Sequence, residues 1–182
     1  MKLHKFSKLA GFLSVAIIGS SLLTLGCSKD LELEQCKVNY SKYNYNYSEA
    51  FKFCSVAAEQ GHAEAQFNLG VMYDIGQGVK QDYFKAVEWY QKAAEQGLAY
   101  AQYNLGVMYE EGRGVKQDYF KAVEWYQKAA EQGNASAQYN LGIMYYDGEG
   151  VRQNYTKAKE YFGLACDNKD QDGCDMYKKL NQ

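Results

Sequence analysis

The side chains with the most chemistry to offer are five cysteines, Cys27, Cys36, Cys54, Cys166 and Cys174. Thiolates either ligate metal or pair with one another. Structural zinc sites gather Cys and His at short spacings, commonly Cys-x-x-Cys. That spacing is absent and the whole chain has two histidines, so no metal site is expected. His62 falls at a hinge of the chain and reads as a solvated turn residue. The serine machinery that attacks β-lactams needs Ser-x-x-Lys, Ser-Asp-Asn and Lys-Thr-Gly, and none of the three occurs. Glycine pairs such as Gly76-Gln77-Gly78 neither follow a strand nor open a phosphate-binding helix, so no nucleotide or other cofactor is implied. Acidic residues are spread along the chain, and none is set apart as a general acid beside a general base. No catalytic residue is assigned.

The larger pattern is repetition. The stretch VKQDYFKAVEWYQKAAEQG occurs twice without a change, from Val79 to Gly97 and from Val115 to Gly133, at an interval of 36 residues. A period between about 20 and 50 residues is the mark of a stacked repeat protein. The same shift superposes Ala65, Ala101 and Ala137, then Leu69, Leu105 and Leu141, then Tyr73, Tyr109 and Tyr145. Backward extension matches Tyr47, Ala50, Ala57 and Gly61 to Tyr83, Ala86, Ala93 and Gly97. The expected units are a half-repeat over 47–62, full repeats over 63–98, 99–134 and 135–170, and a C-terminal capping helix over 171–182.

Each unit reads as two helices. Ala65, Leu69, Met72 and Tyr73 form one stripe at spacings of three and four. The Gly-x-Gly pair then breaks the helix. Asp82, Asp118 and Asn154 are N-cap types for the second helix. That helix carries Ala86, Trp89, Tyr90, Ala93 and Ala94 on its apolar side, and Gly97 and Gly133 stand where it should end. Glu88 with Lys92 and Glu124 with Lys128 have the spacing of (i, i+4) ion pairs. Gly70, Gly106 and Gly142 lie inside the first helices, where each costs about 1 kcal/mol against Ala. That cost predicts a neighbouring helix too close for a side chain. Proline is absent, and only Tyr43 to Tyr47 hints at an extended run. A single helix pair of this kind cannot bury its apolar faces, so the units must stack into an all-α solenoid.

The pattern A-x-A-Q-x-N-L-G-x-M-Y, then G-x-G-V-x-Q-(D/N)-Y, then K-A-x-E-(W/Y)-(Y/F)-x-x-A resembles the Sel-1-like repeat family, relatives of tetratricopeptide repeats, over about Ala63 to Asp170. The resemblance implies a right-handed α/α superhelix that holds other proteins. Some cysteine-rich members of that family are described as penicillin-binding or β-lactamase-like, which keeps an enzyme as the alternative. A host-facing effector or adhesin is a further one.

The N-terminus carries an independent message. Lys2, Lys5 and Lys8 precede the nearly uncharged run from Leu9 to Leu25, shorter than the ~20 residues of a spanning helix and shaped like a secretory signal. It ends at Leu23-Thr24-Leu25-Gly26-Cys27, which resembles the bacterial lipobox, with Thr24 and Leu25 departing from its commonest form. The resemblance implies a signal peptide over 1–26, a lipidated Cys27, a tether over 27–46 and a solenoid over 47–182. Ser28, standing where an aspartate would resemble an inner-membrane retention signal, points to the outer membrane, with the protein facing the periplasm. Four cysteines then remain for an oxidising compartment. The spacing of Cys166 and Cys174 resembles that of cysteine-rich family members that bridge adjacent helices; Cys36 would pair with Cys54. Removing Lys2, Lys5 and Lys8 leaves 17 basic against 22 acidic residues, a net charge of −5. A basic footprint for nucleic acid is missing. The expected partners are envelope proteins or peptidoglycan-associated enzymes, bound by a monomer.

The binding surface is expected on the first helix of each unit. At 100° per residue, Phe67, Tyr103 and Tyr139 point away from the Ala65 and Leu69 stripe, together with Asp74, Glu110 and Tyr146. Asn68, Asn104 and Asn140 flank them. Stacking aligns these as aromatic, acidic and amide ladders along a groove. Related repeat proteins use such asparagines to hold a peptide backbone; the competing role is a bond to the backbone of the next repeat. Tyr40, Tyr43, Tyr45 and Tyr47, interleaved with Asn39, Asn44 and Asn46, read either as stacking surfaces for a glycan or as a linker and helix entry.

Overall fold

The structure, a computed structural model, describes residues 31–37 and 47–182. The signal segment, Cys27 and most of the tether, including Tyr40, Tyr43 and Tyr45, lie outside the described residues. The regular elements described are all helices. A short α1 (31–37) precedes α2 (Tyr47–Glu59), α3 (Ala63–Ile75), α4 (Tyr83–Glu95), α5 (Ala99–Glu111), α6 (Tyr119–Glu131), α7 (Ala135–Asp147), α8 (Tyr155–Asp167) and α9 (Gln171–Lys179). Each helix from α2 onward packs on the next in sequence, the one-dimensional connectivity of a solenoid of helical repeats. Tyr47 opens α2 and is not part of a strand.

Local chemistry sets the joints. Asp82, Asp118 and Asn154 accept hydrogen bonds from the amides of Lys85, Lys121 and Lys157 at 3.2, 3.1 and 3.0 Å. Each satisfies a donor that the first turn of a helix leaves unpaired. At the other end of α5, Gly112 takes φ +71°, a left-handed value at which a side chain is strained. Two residues on, Gly114 lies flat against the Tyr83 carbonyl, leaving no space for a Cβ. Its equivalents Gly78 and Gly150 meet the carbonyls of Tyr47 and Tyr119. Every turn is thereby seated on the first residue of the preceding unit's second helix.

Alanines, leucines and methionines at the superposed positions fill the core: Ala65, Leu69, Met72, Ala86, Tyr90 and Ala93 are fully or almost fully buried, as are their copies. The helical glycines make room for the largest of these residues. A Cβ on Gly70, Gly106 or Gly142 would stand 2.6, 2.6 or 2.5 Å from the ring of Tyr90, Tyr126 or Phe162. The close approach expected from their cost is thus to an aromatic ring of the second helix in the same unit. The expected pairs Glu88 with Lys92 and Glu124 with Lys128 are not among the ion pairs of the described residues. Lys92 and Lys128 instead place their ammonium groups 3.8 and 3.9 Å from the Trp89 and Trp125 ring centroids. A ring three residues back lies beneath the lysine stem, so the ammonium gains a cation–π contact while staying hydrated.

Two disulfides close the array, Cys36 to Cys54 between α1 and α2, and Cys166 to Cys174 between α8 and α9. The first pair is fully buried. In the 36-residue register Cys54 takes the place of Tyr90, Tyr126 and Phe162. Bonded sulfurs fill the start of the array where a ring fills its interior.

Candidate functional site

The three predicted ladders come together around the second-helix rings, but they are not turned away from the core. Phe67, Tyr103 and Tyr139 are half-buried. Their ring centroids stand 5.9, 5.7 and 5.7 Å from those of Tyr90, Tyr126 and Phe162. A helix in a solenoid packs on two neighbours rather than one, and the flank at 67, 103 and 139 covers its own second helix. What these rings leave for a ligand is their outer edge. Tyr100, 65% exposed, extends that edge with its centroid 6.2 Å from Phe67.

The acidic ladder is engaged within the fold. The Tyr90 hydroxyl donates to Asp74 at 3.3 Å, and the Tyr126 hydroxyl donates to Glu110. Asp74 also receives Arg113 from the following turn at 2.9 Å. The charge on Arg113 is opposed by its partial burial and favoured by Asp74 and Glu111, which together keep its pKa above the ordinary arginine value. In the third unit the second-helix ring is Phe162, without a hydroxyl, and the acid is replaced by Tyr146, whose ring packs edge-on at 5.2 Å from Tyr155. The amide ladder is not uniform. Asn68 points to the sulfur of Cys36 at 3.7 Å, while Asn140 acts on the phenols of Tyr103 and Tyr126 in the preceding unit, favouring their ionised forms against burial. Asn104 is half-buried on the same flank.

Burial, followed by the bond and charge of Glu110, drives the Tyr126 phenol far above its ordinary pKa. Burial and Glu110 also raise Tyr103, against the opposing Asn140 bond. Burial raises Tyr139, helped by Asp172 and Asp170. A phenol whose pKa is raised by folding stabilises the fold fully below its unfolded pKa of about 10 and loses that contribution as pH climbs toward the folded value. Thermal melting should therefore fall as pH is taken above about 10, and Tyr126→Phe should make that fall shallower. An unchanged alkaline slope in the variant would show that Tyr126 is not the titrating group.

Sequence reasoning gave no role to Gln66, Gln102 and Gln138, the buried polar residues of the core. Each donates to a carbonyl eight residues back, Ala58, Ala94 or Ala130, at 3.1, 3.1 and 3.0 Å. Each also accepts from the amide of the following joint, Gln96, Gln132 or Asn168, at 2.7, 2.8 and 2.9 Å. One side chain thus pins three consecutive helices. The signal was present in the repeated Ala-x-Ala-Gln, where the glutamine directly follows a buried alanine position, Ala65, Ala101 or Ala137. His62, the N-cap residue of α3, is half-buried and makes no side-chain cap bond.

The Sel1 repeat family model matches residues 41–62, 63–98, 99–134 and 135–170. The chain is similar to a protective antigen of uropathogenic Escherichia coli strains that displays an SLR fold, at 38% identity and a TM-score of 0.75 over 86% of this chain and 35% of that one. It is also similar to a Sel1 repeat protein from Oxalobacter formigenes, at 33% identity and a TM-score of 0.73 over 85% and 62%. The cysteine-rich protein B of Helicobacter pylori matches at 25% identity and a TM-score of 0.58 over 76% and 98%. The chain thus spans about a third of the first of these relatives and less than two thirds of the second. Among curated proteins none matches the sequence.

Proposed function

We propose that this chain, which belongs to the Sel1 repeat family, is a scaffold for other proteins in a bacterial envelope, held to the outer membrane through an acylated Cys27. Sel1 repeat proteins are generally protein-interaction scaffolds. The observation that carries the binding reading is a row of stacked helix pairs, closed by a disulfide at each end, whose first-helix aromatics keep an open edge at Phe67 and Tyr100. A surface ordered before its partner arrives limits the entropy lost on association. The envelope reading is supported by the signal-like segment ahead of Cys27 and by two disulfides, which suit an oxidising compartment. Envelope proteins and peptidoglycan-associated enzymes are the partners such a location supplies. The description of the similar E. coli protein as a protective antigen favours, as a second reading, a chain displayed to a host.

Two measurements test the proposal. Cys27→Ser should release the protein from the membrane fraction or leave an unprocessed precursor, and normal processing with retention in the membrane would exclude the lipid anchor. A photoreactive residue at position 100 should crosslink in cells to one or a few envelope proteins, while the same residue at Gln91, exposed on α4, should not. Equal capture at both positions would remove the aromatic edge as the binding surface.

A further inference from the structure

We infer that the edge formed by the turns within the helix pairs docks on an anionic phospholipid surface, an interaction separate from the protein-binding face. The seating of Gly78, Gly114 and Gly150 on Tyr47, Tyr83 and Tyr119 makes these turns one continuous edge. Lys80, Lys116 and Arg152 are exposed on it at equivalent positions. Just inside them Lys85, Lys121 and Lys157 each lie 5.1 Å from the ring centroid of Tyr73, Tyr109 or Tyr145. Between these cations in sequence stand Phe84 and Phe120, 73% and 72% exposed, and Tyr155 at 55%. The two phenylalanines occupy the same position in adjacent units and so face the same way.

Of the carboxylates of this edge, Asp74 and Glu111 are paired with Arg113, Asp82 and Asp118 cap α4 and α6 while keeping their charge at the positive helix ends, and Glu149 and Asp147 are exposed at the third turn. In the third unit the capping residue is Asn154 rather than aspartate. A cleft of about 510 Å³ opens there, lined by Tyr145, Val151, Arg152, Gln153, Asn154 and Lys157. Its lining holds two cations and no carboxylate among mainly polar side chains, which suits a phosphodiester headgroup.

Cations alternating with exposed aromatics are satisfied together at a bilayer interface. The rings enter the boundary between headgroups and acyl chains while lysine and arginine meet the phosphates. An acidic protein would answer the charges but would gain less from two phenylalanines exposed to this degree. The chain also enters the solenoid on this edge, because the Tyr47 carbonyl at the start of α2 is the group that seats Gly78. Anchorage ahead of Tyr47 would hold the edge near the membrane, although the edge itself does not require it.

The test is amide hydrogen exchange of the full chain mixed with vesicles of phosphatidylcholine alone, or of phosphatidylcholine with phosphatidylglycerol. Exchange over 76–85, 112–121 and 148–157 should slow severalfold with the anionic vesicles only. Each surface cation contributes roughly fivefold to partitioning, so Lys80→Gln, Lys116→Gln and Arg152→Gln together should weaken it about 100-fold and abolish the footprint. Phe84→Ser with Phe120→Ser should abolish it too, with thermal melting unchanged because both rings are exposed. No slowing at these segments, or slowing confined to the opposite edge, would overturn the inference. So would equal protection by glycerophosphate without vesicles, which would make the ligand a free anion. Binding to neutral vesicles reports the N-terminal anchor; its loss with the anionic footprint intact would sink the anchor and leave the edge standing.

Discussion

Gly106→Val should destabilise the fold by about 3 kcal/mol, the upper end of what overpacking costs in a closed core. The added Cβ would meet the Tyr126 ring at 2.6 Å. That ring is fully buried and its hydroxyl is held by Glu110, so it has nowhere to retreat. For a chain of this size the loss corresponds to a fall in melting temperature of roughly 6–12 °C. Gly106→Ala should lose less, since alanine returns about 1 kcal/mol of helix propensity. The decisive measurement is the same pair of substitutions in a Tyr126→Leu background, which removes the ring. If the penalty persists there, the glycine is needed for some other reason than this contact.

Replacing Cys36 and Cys54 together by alanine should cost about 3 kcal/mol on the chain-entropy estimate for a crosslink spanning 18 residues. The effect should be concentrated at one end. Besides the disulfide, the contacts of α1 include the packing of Leu33 and a 2.7 Å ion pair between Lys37 and Glu64, whose side chains are 40% and 58% exposed. Exposed pairs contribute little. Limited proteolysis should therefore cut ahead of Tyr47 in the variant under conditions that leave the unaltered protein intact. Equal resistance would mean that packing alone seats α1.

The architecture was legible because a repeat announces itself: 36-residue register, Gly-x-Gly turn and capping Asp or Asn are properties of the string. The glycines inside helices were legible through their cost. The groove was read less well, for a reason particular to solenoids. A helical wheel separates one inside from one outside, and Phe67, Tyr103 and Tyr139 fall opposite Ala65 and Leu69. In the array that flank meets the second-helix rings. The acids have a similar history. Asp74 with Tyr90, Glu110 with Tyr126, and Tyr146 with Phe162 vary together across the three units: an acid where the ring bears a hydroxyl, none where it does not. That covariation marks an internal bond, and it was visible before any coordinates.

Cys166 and Cys174 are eight residues apart, as are Ala58 and Gln66, Ala94 and Gln102, and Ala130 and Gln138, and they fall at the same two places in the register. Inside the array the joint is a hydrogen bond, and at its last step it is covalent. An internal joint is interchangeable with any other, so copying a whole unit lengthens the protein while both clasps stay where they are. The two identical nineteen-residue stretches are what such growth by duplication leaves behind. A terminal unit has no such freedom, since a cysteine copied inward would arrive without its mate.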